Sequence, residues 1–170
     1  MPQELIVRPP RMEDASALIE AVRSSMDELS VWLPWATESY GLDEASGWIA
    51  GVHGDRFRLL LLEPDGTVVG GVGINDVDDH HRRANLGYWV RSDRTGRGYA
   101  TEAVRRMVEI GFGEAGMLRL EVLMSVENVP SRRVAEKAGA QHEGVARARL
   151  RVGNHQHDAH VFSFVRGDAP

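Results

Sequence analysis

The sequence predicts an α+β domain built on a mixed, mostly antiparallel sheet. Three observations predict it. Three strand-like runs follow one another between residues 56 and 91 with only turns or loops between them. A glycine turn, a helix, a strand and a second helix then occupy residues 96–140. A further pair of strand-like runs closes the chain. A regular strand–helix alternation would instead predict a parallel sheet. At 170 residues the chain reads as one domain, 1–170, long enough to bury a core.

The elements follow in order. Leu5–Pro9 is a short strand stopped by two prolines. From Glu13 to Ser25, Ala15, Leu18, Ile19 and Val22 share one helical face. Trp32–Gly41, "WLPWATESYG", is irregular and rich in aromatics. Asp43 is placed to cap a helix that carries Ala45, Trp48, Ile49 and Val52. "RFRLLLLE" and "TVVGGVGI" are strands joined by Pro64-Asp65-Gly66, a turn sequence. "DVDDHHRR" is a polar loop, and Asn85–Arg91 is a third strand. A helix over Ala100–Phe112 places Ala100, Ala103, Val104, Met107, Val108 and Gly111 on one side. Leu118–Val126 is a buried strand. Glu127–Ala140 is a helix with Pro130 in its first turn and Gly139 at its stop. Glu143–Val152 and Ala159–Arg166 form the closing pair around a polar loop, Gly153–Asp158.

Composition narrows the function. Hydrophobic residues make up 42% and charged residues 26%, ordinary values for a soluble globular chain. No segment approaches the roughly 20 apolar residues of a membrane span. The first residues lack a basic-then-apolar leader, so a cytoplasmic protein is expected. The absence of cysteine excludes disulfides, zinc–thiolate sites and a cysteine nucleophile. A net charge of −5 argues against a nucleic-acid partner and sooner suits a basic or amine-bearing one.

The run "RSDRTGRGYATEAV" asks for chemistry. Gly96 and Gly98 sit between a strand and a helix N-terminus. The unpaired amides of a first helical turn and the helix dipole favour an anion there. Arg94 and Arg97 bracket the turn and can add charge pairing. Tight packing alone would also explain the two glycines. Three nucleotide readings compete. A P-loop is excluded, since no G-x-x-x-x-G-K-[ST] run exists. A dinucleotide fingerprint has Thr101 where its third glycine belongs, although Glu121 stands where a ribose-binding acid would. That reading, a nicotinamide-dependent oxidoreductase, needs an alternating parallel sheet. The third reading is the pyrophosphate of coenzyme A.

A second constellation favours the third. "GRGYATEA" is followed, one strand later, by "ENVPSRRVAEKAGA" and "EGVAR". With "WLPW", "VVGGVGI", "LGYWV" and Asp158 before the last strand, nearly the whole chain resembles the GNAT superfamily of acyl-CoA-dependent N-acetyltransferases. It is most similar to the RimJ/RimL-like branch that acetylates ribosomal-protein N-termini. The resemblance implies a GNAT fold: a mostly antiparallel sheet with one splayed parallel strand pair and helices on both faces. It implies acetyl-CoA as cosubstrate, no metal, and direct attack in a ternary complex by a primary amine, the α-amine of a ribosomal or other protein or peptide N-terminus. It also implies a homodimer as the expected assembly. The pantetheine arm would pair with the strand Gly87–Arg91, where a backbone N–H of Trp89, Val90 or Arg91 would polarise the thioester carbonyl. The pyrophosphate would lie on the turn of Gly96, Arg97, Gly98, Tyr99, Ala100 and Thr101. Asn128 would contact the cosubstrate. Ser131 would donate a proton to the leaving thiolate, though a helix-start serine can equally serve its own backbone.

Two positions depart from the family pattern. Thr95 stands where Gln or Arg is usual. Asn85 stands where many relatives carry a glutamate, a candidate base, and an amide takes no proton at neutral pH. Asn85 therefore leans the reading toward acceptors that are partly neutral already. An α-amine with pKa about 7.7–8.0 qualifies, and a lysine at about 10.4 does not. A water held by Asn85, Asp76 or a nearby histidine is a candidate for relaying the proton. Asp76 and His80, in a polar loop near the expected mouth of the site, are candidates for binding the acceptor, although such a charged loop can equally be a solvated one. Trp32 and Trp35 are candidates for the acceptor pocket wall, and core packing explains them as well. Tyr88 and Tyr99 are read as packing residues. His155, His157 and His160 suggest a metal, since alternating residues such as 155 and 157 would share a strand face, but the further ligands a metal needs are missing. Other readings are a small-molecule amine acetyltransferase of the same fold and a CoA-binding module without catalysis.

Overall fold

The computed structural model describes residues 4–52 and 54–168. Among the described residues, seven strands and five α-helices alternate unevenly. Strand β1 (Ile6–Arg8) leads through a single 3-10 turn into α1 (Ala15–Arg23), α2 (Met26–Trp32) and α3 (Leu42–Ala50). Strands β2 (Phe57–Leu62), β3 (Val68–Asp78) and β4 (Arg83–Val90) follow as a meander. Then come α4 (Tyr99–Phe112), β5 (Arg119–Ser125), α5 (Val129–Ala138), β6 (Gln141–Val152) and β7 (His155–Val165).

All seven strands form one sheet in the order β1-β2-β3-β4-β5-β7-β6. Every neighbouring pair is antiparallel except β4 and β5. The sheet is covered on both faces, which the run "FRLLLL" makes legible. Leu59 and Leu61 join the cluster under α4, with Val104, Met107 and Leu120. Leu60 and Leu62 join the cluster under α1 and α3, with Leu18, Val22, Ala45 and Ile49. An apolar run with no alternation is what a strand buried on both faces requires.

Several expectations change in detail. The stretch before Trp32 is a helix of its own, α2, and Trp32 is its last residue; residues 33–41 are irregular as expected. The first turn of α3 is closed by Gly41, whose N–H donates to Glu44 (2.9 Å), rather than by Asp43. Val52 lies beyond α3, after Gly51 turns the chain at φ +79°, and is 73% exposed. The two polar "loops" are largely hairpin arms. β3 runs to Asp78 and β4 starts at Arg83, and β7 starts at His155, so Asp158 lies within the last strand. Val77 packs against the core, but the other residues of these arms are polar and exposed or half-buried, so hydrophobic alternation gave no sign of them. Among the described residues no helix is long and apolar enough to cross a membrane.

Candidate active site

The parallel pair β4–β5 is brief. Arg83, Ala84 and Asn85 stand opposite Arg119, Leu120 and Glu121, and there the pairing ends. β4 continues to Val90 against β3 alone, while β5 continues to Ser125 against β7. A wedge therefore opens beyond Asn85 and Glu121. The direction of the β4 amides follows from its ends. The Arg82 carbonyl accepts from Leu118 on the β5 side, and the Arg91 N–H donates to Val69 on the β3 side (2.8 Å). Backbone groups alternate sides along a strand. Leu86, Tyr88 and Val90 thus turn theirs toward the wedge, and Asn85, Gly87 and Trp89 turn theirs toward β3. Of the three amides expected to meet a thioester, only that of Val90 faces the gap. That of Arg91 is already spent, and its side chain clamps Glu20 (2.6 and 2.9 Å) and Asp93.

The glycine turn lies past the open end of β4. Gly96 and Gly98 take φ +77° and +84°, left-handed conformations that side chains with a Cβ adopt at a cost. Among the described residues, no atom beyond the glycine and its two chain neighbours lies within 4 Å of where a Cβ would stand at either position. No side chain caps α4, and its first internal bond runs from Glu102 N–H to the Gly98 carbonyl. Among the described residues the amides of Ala100 and Thr101 have no acceptor. Arg94 and Arg97 both reach Glu63 (3.3 and 3.0 Å), as does the Tyr99 hydroxyl (3.0 Å). Glu63 thus fixes both cations beside the turn while its carboxylate offsets part of their charge. The Tyr99 ring is buried, as a packing role requires.

On the far side of the wedge stands α5. The Asn128 side chain caps it by accepting from Ser131 N–H (3.2 Å). Ser131 Oγ lies 2.9 Å from the Tyr88 hydroxyl, which also donates to the Ser131 carbonyl (2.9 Å). Tyr88 therefore bridges the gap. It joins the strand that offers backbone groups to the helix that offers a hydroxyl. Burial pushes its phenol up to about 12, so it remains a donor at any working pH. Sequence reasoning gave Tyr88 a packing role only. Nothing in a tyrosine on a strand shows that the next helix will meet it.

Asn85 sits at the apex. Its Nδ2 donates to Asn75 Oδ1 (2.8 Å), directly across the β3–β4 ladder. Glu121, in register with Asn85 on β5, is held by Arg119 (2.9 Å) and lies near Arg83 (3.9 Å). Asp76 follows Asn75 in a β3 bulge at φ +48° and is exposed. His80 is also exposed, in the turn after Asp78, with its ring against His81. Trp35 packs edge-on to Trp89 (6.1 Å) and beside Tyr40, and it remains 41% exposed. Trp89 in turn lies over Gly71, where a Cβ would come within 2.9 Å of the indole nitrogen. Trp32 is half-buried. Among the described residues no group of three or more His, Cys, Asp or Glu could hold a metal.

One ion-pair cluster braces β5 to β6. Arg119 grips Glu143 with two nitrogens (2.7 and 2.5 Å), and Ser163 donates to the same carboxylate (2.7 Å). Arg119 first, then Ser163, lower the Glu143 carboxyl from 4.5 to about 2. A depressed folded-state pKa gives stability that is present above the unfolded value and lost as pH falls toward the folded one. The melting temperature of the parent is thus expected to fall more steeply than that of Glu143→Gln between pH 4.5 and about 2. Parallel melting curves across that interval would refute this contribution.

Comparison with known proteins agrees with this architecture. Residues 4–141 match the family model described as an acetyltransferase (GNAT) domain. The chain belongs to this family. It is an acetyltransferase. "Putative ribosomal N-acetyltransferase YdaF" of Bacillus subtilis (strain 168) is 28% identical over 172 residues, spanning 96% of this chain and 92% of that protein. RimJ of Mycobacterium smegmatis, solved in complex with CoA-disulfide, superposes with a TM-score of 0.84 at 28% identity, covering 98% of this chain and 84% of that one. Spermidine N(1)-acetyltransferase of Escherichia coli (strain K12) is 27% identical over 93 residues, 55% of this chain and 50% of its own. The oxidoreductase reading fails on the fold. Its fingerprint belongs to an alternating parallel sheet, and here the glycine turn follows an antiparallel meander.

Proposed function

We propose that this acetyltransferase moves an acetyl group from acetyl-CoA to the α-amine of a protein or peptide N-terminus, by direct attack with both substrates bound. The observation that carries the reading is the β4–β5 wedge, with backbone groups of Leu86, Tyr88 and Val90 turned into it and the glycine turn at its mouth. The residues fit coenzyme A. The wedge suits a pantetheine arm that needs peptide-like partners. The turn has open space over Gly96 and Gly98 and outward amides at Ala100 and Thr101, which suits a pyrophosphate. RimJ, similar over nearly the whole chain, holds CoA-disulfide.

Acetyl-CoA supplies an activated carbonyl when bound. The residues of this chain supply the rest. The Val90 N–H polarises that carbonyl. Ser131, joined to Tyr88, donates to the departing sulfur. Trp35 and Trp89 form one wall for the acceptor. Asn85 leaves the apex with an amide in place of a carboxylate, and Asn75 holds that amide in one orientation. The acceptor must therefore arrive largely unprotonated. Near pH 7 about a tenth or more of an α-amine is neutral, against roughly one lysine side chain in two thousand.

The test is a panel of N-terminal peptides, lysine-side-chain peptides and spermidine with acetyl-CoA, read by release of free thiol. The parent is expected to favour α-amines, with kcat/KM rising with pH and levelling near the peptide's own α-amine pKa. Asn85→Glu is expected to shift that profile to lower pH and to bring lysine acceptors into range. Preference for spermidine would move the assignment to a small amine. CoA binding without thiol release on any acceptor would reduce the protein to a binding module. A parent profile already flat from pH 6 on both acceptor types would assign the base to another side chain, with Asp76 and His80 the first to mutate.

A further inference from the structure

The β6–β7 hairpin carries charge that acetyl transfer itself does not use. Its two arms fall out of step between Ala146 and Leu150. Ala146 pairs with Ala159 and Leu150 with His157, so Arg147, Ala148 and Arg149 all stand opposite Asp158. Ala148 takes φ +50°, a left-handed conformation that alanine resists. The Asp158 carboxylate fixes it by accepting from Ala148 N–H (2.8 Å). The bulge is tied to the wedge. The Asp158 carbonyl accepts from Val126 N–H (3.0 Å), and His157 Nδ1 lies 2.8 Å from Ser125 Oγ at the end of β5. The Ser125 carbonyl in turn accepts from Asn128 N–H, one helical turn before Ser131.

Five arginines around the site are matched by carboxylates, while Arg133 of α5 has none within 4.0 Å among the described residues. Arg91 has Glu20, Arg94 and Arg97 have Glu63, Arg119 has Glu143, and Arg132 has Glu136. Arg147 and Arg149 are exposed, and among the described residues neither has a carboxylate within 4.0 Å. Arg151, next along β6, bonds the Gly153 carbonyl and Asn154 Oδ1 (3.0 and 3.3 Å) and has no carboxylate within 4.0 Å among the described residues. A chain of net charge −5 thus keeps a cluster of unmatched cations on a pinned bulge at the wide end of its active-site wedge.

We propose that Arg147 and Arg149 bind acidic side chains of the acceptor, so that the substrate class is a polypeptide with Asp or Glu shortly after its N-terminal residue. This rests on the α-amine reading above. Charge complementarity selects the occupant. Few cations on an otherwise acidic chain make a poor nucleic-acid surface and a sufficient one for a short acidic segment.

The test uses two peptides with the same first residue, one followed by aspartates and the other by lysines, on the parent and on Arg147→Gln/Arg149→Gln. The parent is expected to show a KM roughly fivefold to tenfold lower for the acidic peptide at low ionic strength, an advantage that shrinks with salt. In the double variant the two KM values should converge, with kcat and the KM for acetyl-CoA unchanged. Equal KM values in the parent would overturn the proposal. So would a raised KM for acetyl-CoA in the variant, which would give the arginines to the phosphates of CoA, or equal competition by RNA. If no peptide is acetylated, the α-amine reading falls instead. Binding of the fluorescently labelled acidic peptide then decides: loss of binding in the double variant upholds the arginine site, and no binding to the parent ends it.

Discussion

Gly98→Val is expected to lower the affinity for CoA by roughly a hundredfold or more, because two or more amide bonds to a charged oxygen are each worth about 1.5–3 kcal/mol. Two effects combine. Gly98 precedes α4 at φ +84°, and a β-branched residue there is strained by about 1–3 kcal/mol, so the first turn shifts and its outward amides lose their aim. The new side chain also enters space that the protein leaves open. Gly98→Asn separates the two, since asparagine tolerates the left-handed region and keeps the amides in place. It is expected to weaken binding less than valine does and to leave the melting temperature nearer the parent's. Calorimetric titration with CoA on both folded variants checks this. Unchanged affinity in a folded Gly98→Val protein would remove the phosphate from this turn.

How legible all this was depended on how locally each feature is encoded. Gly96, Gly98, Pro130 and Gly139 are punctuation, and each stands where its own backbone demands. Gly139 ends α5 at φ +97° and Pro130 lies in its first turn. The covered face of α4 was likewise periodic, and Ala103, Val104, Met107 and Gly111 are buried. What the sequence withheld were relations between distant segments. Glu63 follows β2 beside a proline turn, and nothing local links it to Arg94, Arg97 and Tyr99 some thirty residues later. Tyr88 and Ser131 are 43 residues apart and meet only because α5 closes over the wedge. The pairing of Asn75 with Asn85 depends on hairpin register, which a β3 bulge obscures. A polar stretch such as "HDAH" is equally compatible with a loop and with a strand whose outer face is wet, and it proved to be the strand.

Ser131→Ala is expected to lower kcat by roughly a hundredfold, the usual cost of removing one positioned donor to a developing anion, while the affinity for acetyl-CoA changes little. The reasoning begins with proton affinities. A departing thiolate has the basicity of a thiol near 8.5. The phenol of Tyr88, raised to about 12 by burial, does not surrender its proton to it, and an aliphatic hydroxyl does so even less. Ser131 and Tyr88 therefore act mainly by hydrogen bonding to the sulfur as charge accumulates, rather than by complete transfer. Their own contact has only two protons to share among four acceptors: the Ser131 carbonyl, the two hydroxyl oxygens and the sulfur. When Ser131 Oγ–H turns to the sulfur, the Tyr88 hydroxyl can donate to Ser131 Oγ in its place, 2.9 Å away. That second bond strengthens the first through polarisation. Tyr88→Phe should consequently cost less than Ser131→Ala, and the double variant should be little worse than Ser131→Ala alone, as for groups that act as a unit. The measurement is kcat for the two single variants and the double variant, with CoA affinity measured separately to show that the α5 cap has survived. Fully multiplicative losses would mean that Tyr88 acts apart from Ser131. Full turnover in Ser131→Ala would return that hydroxyl to its helix and leave the thiolate to depart without a donor from α5.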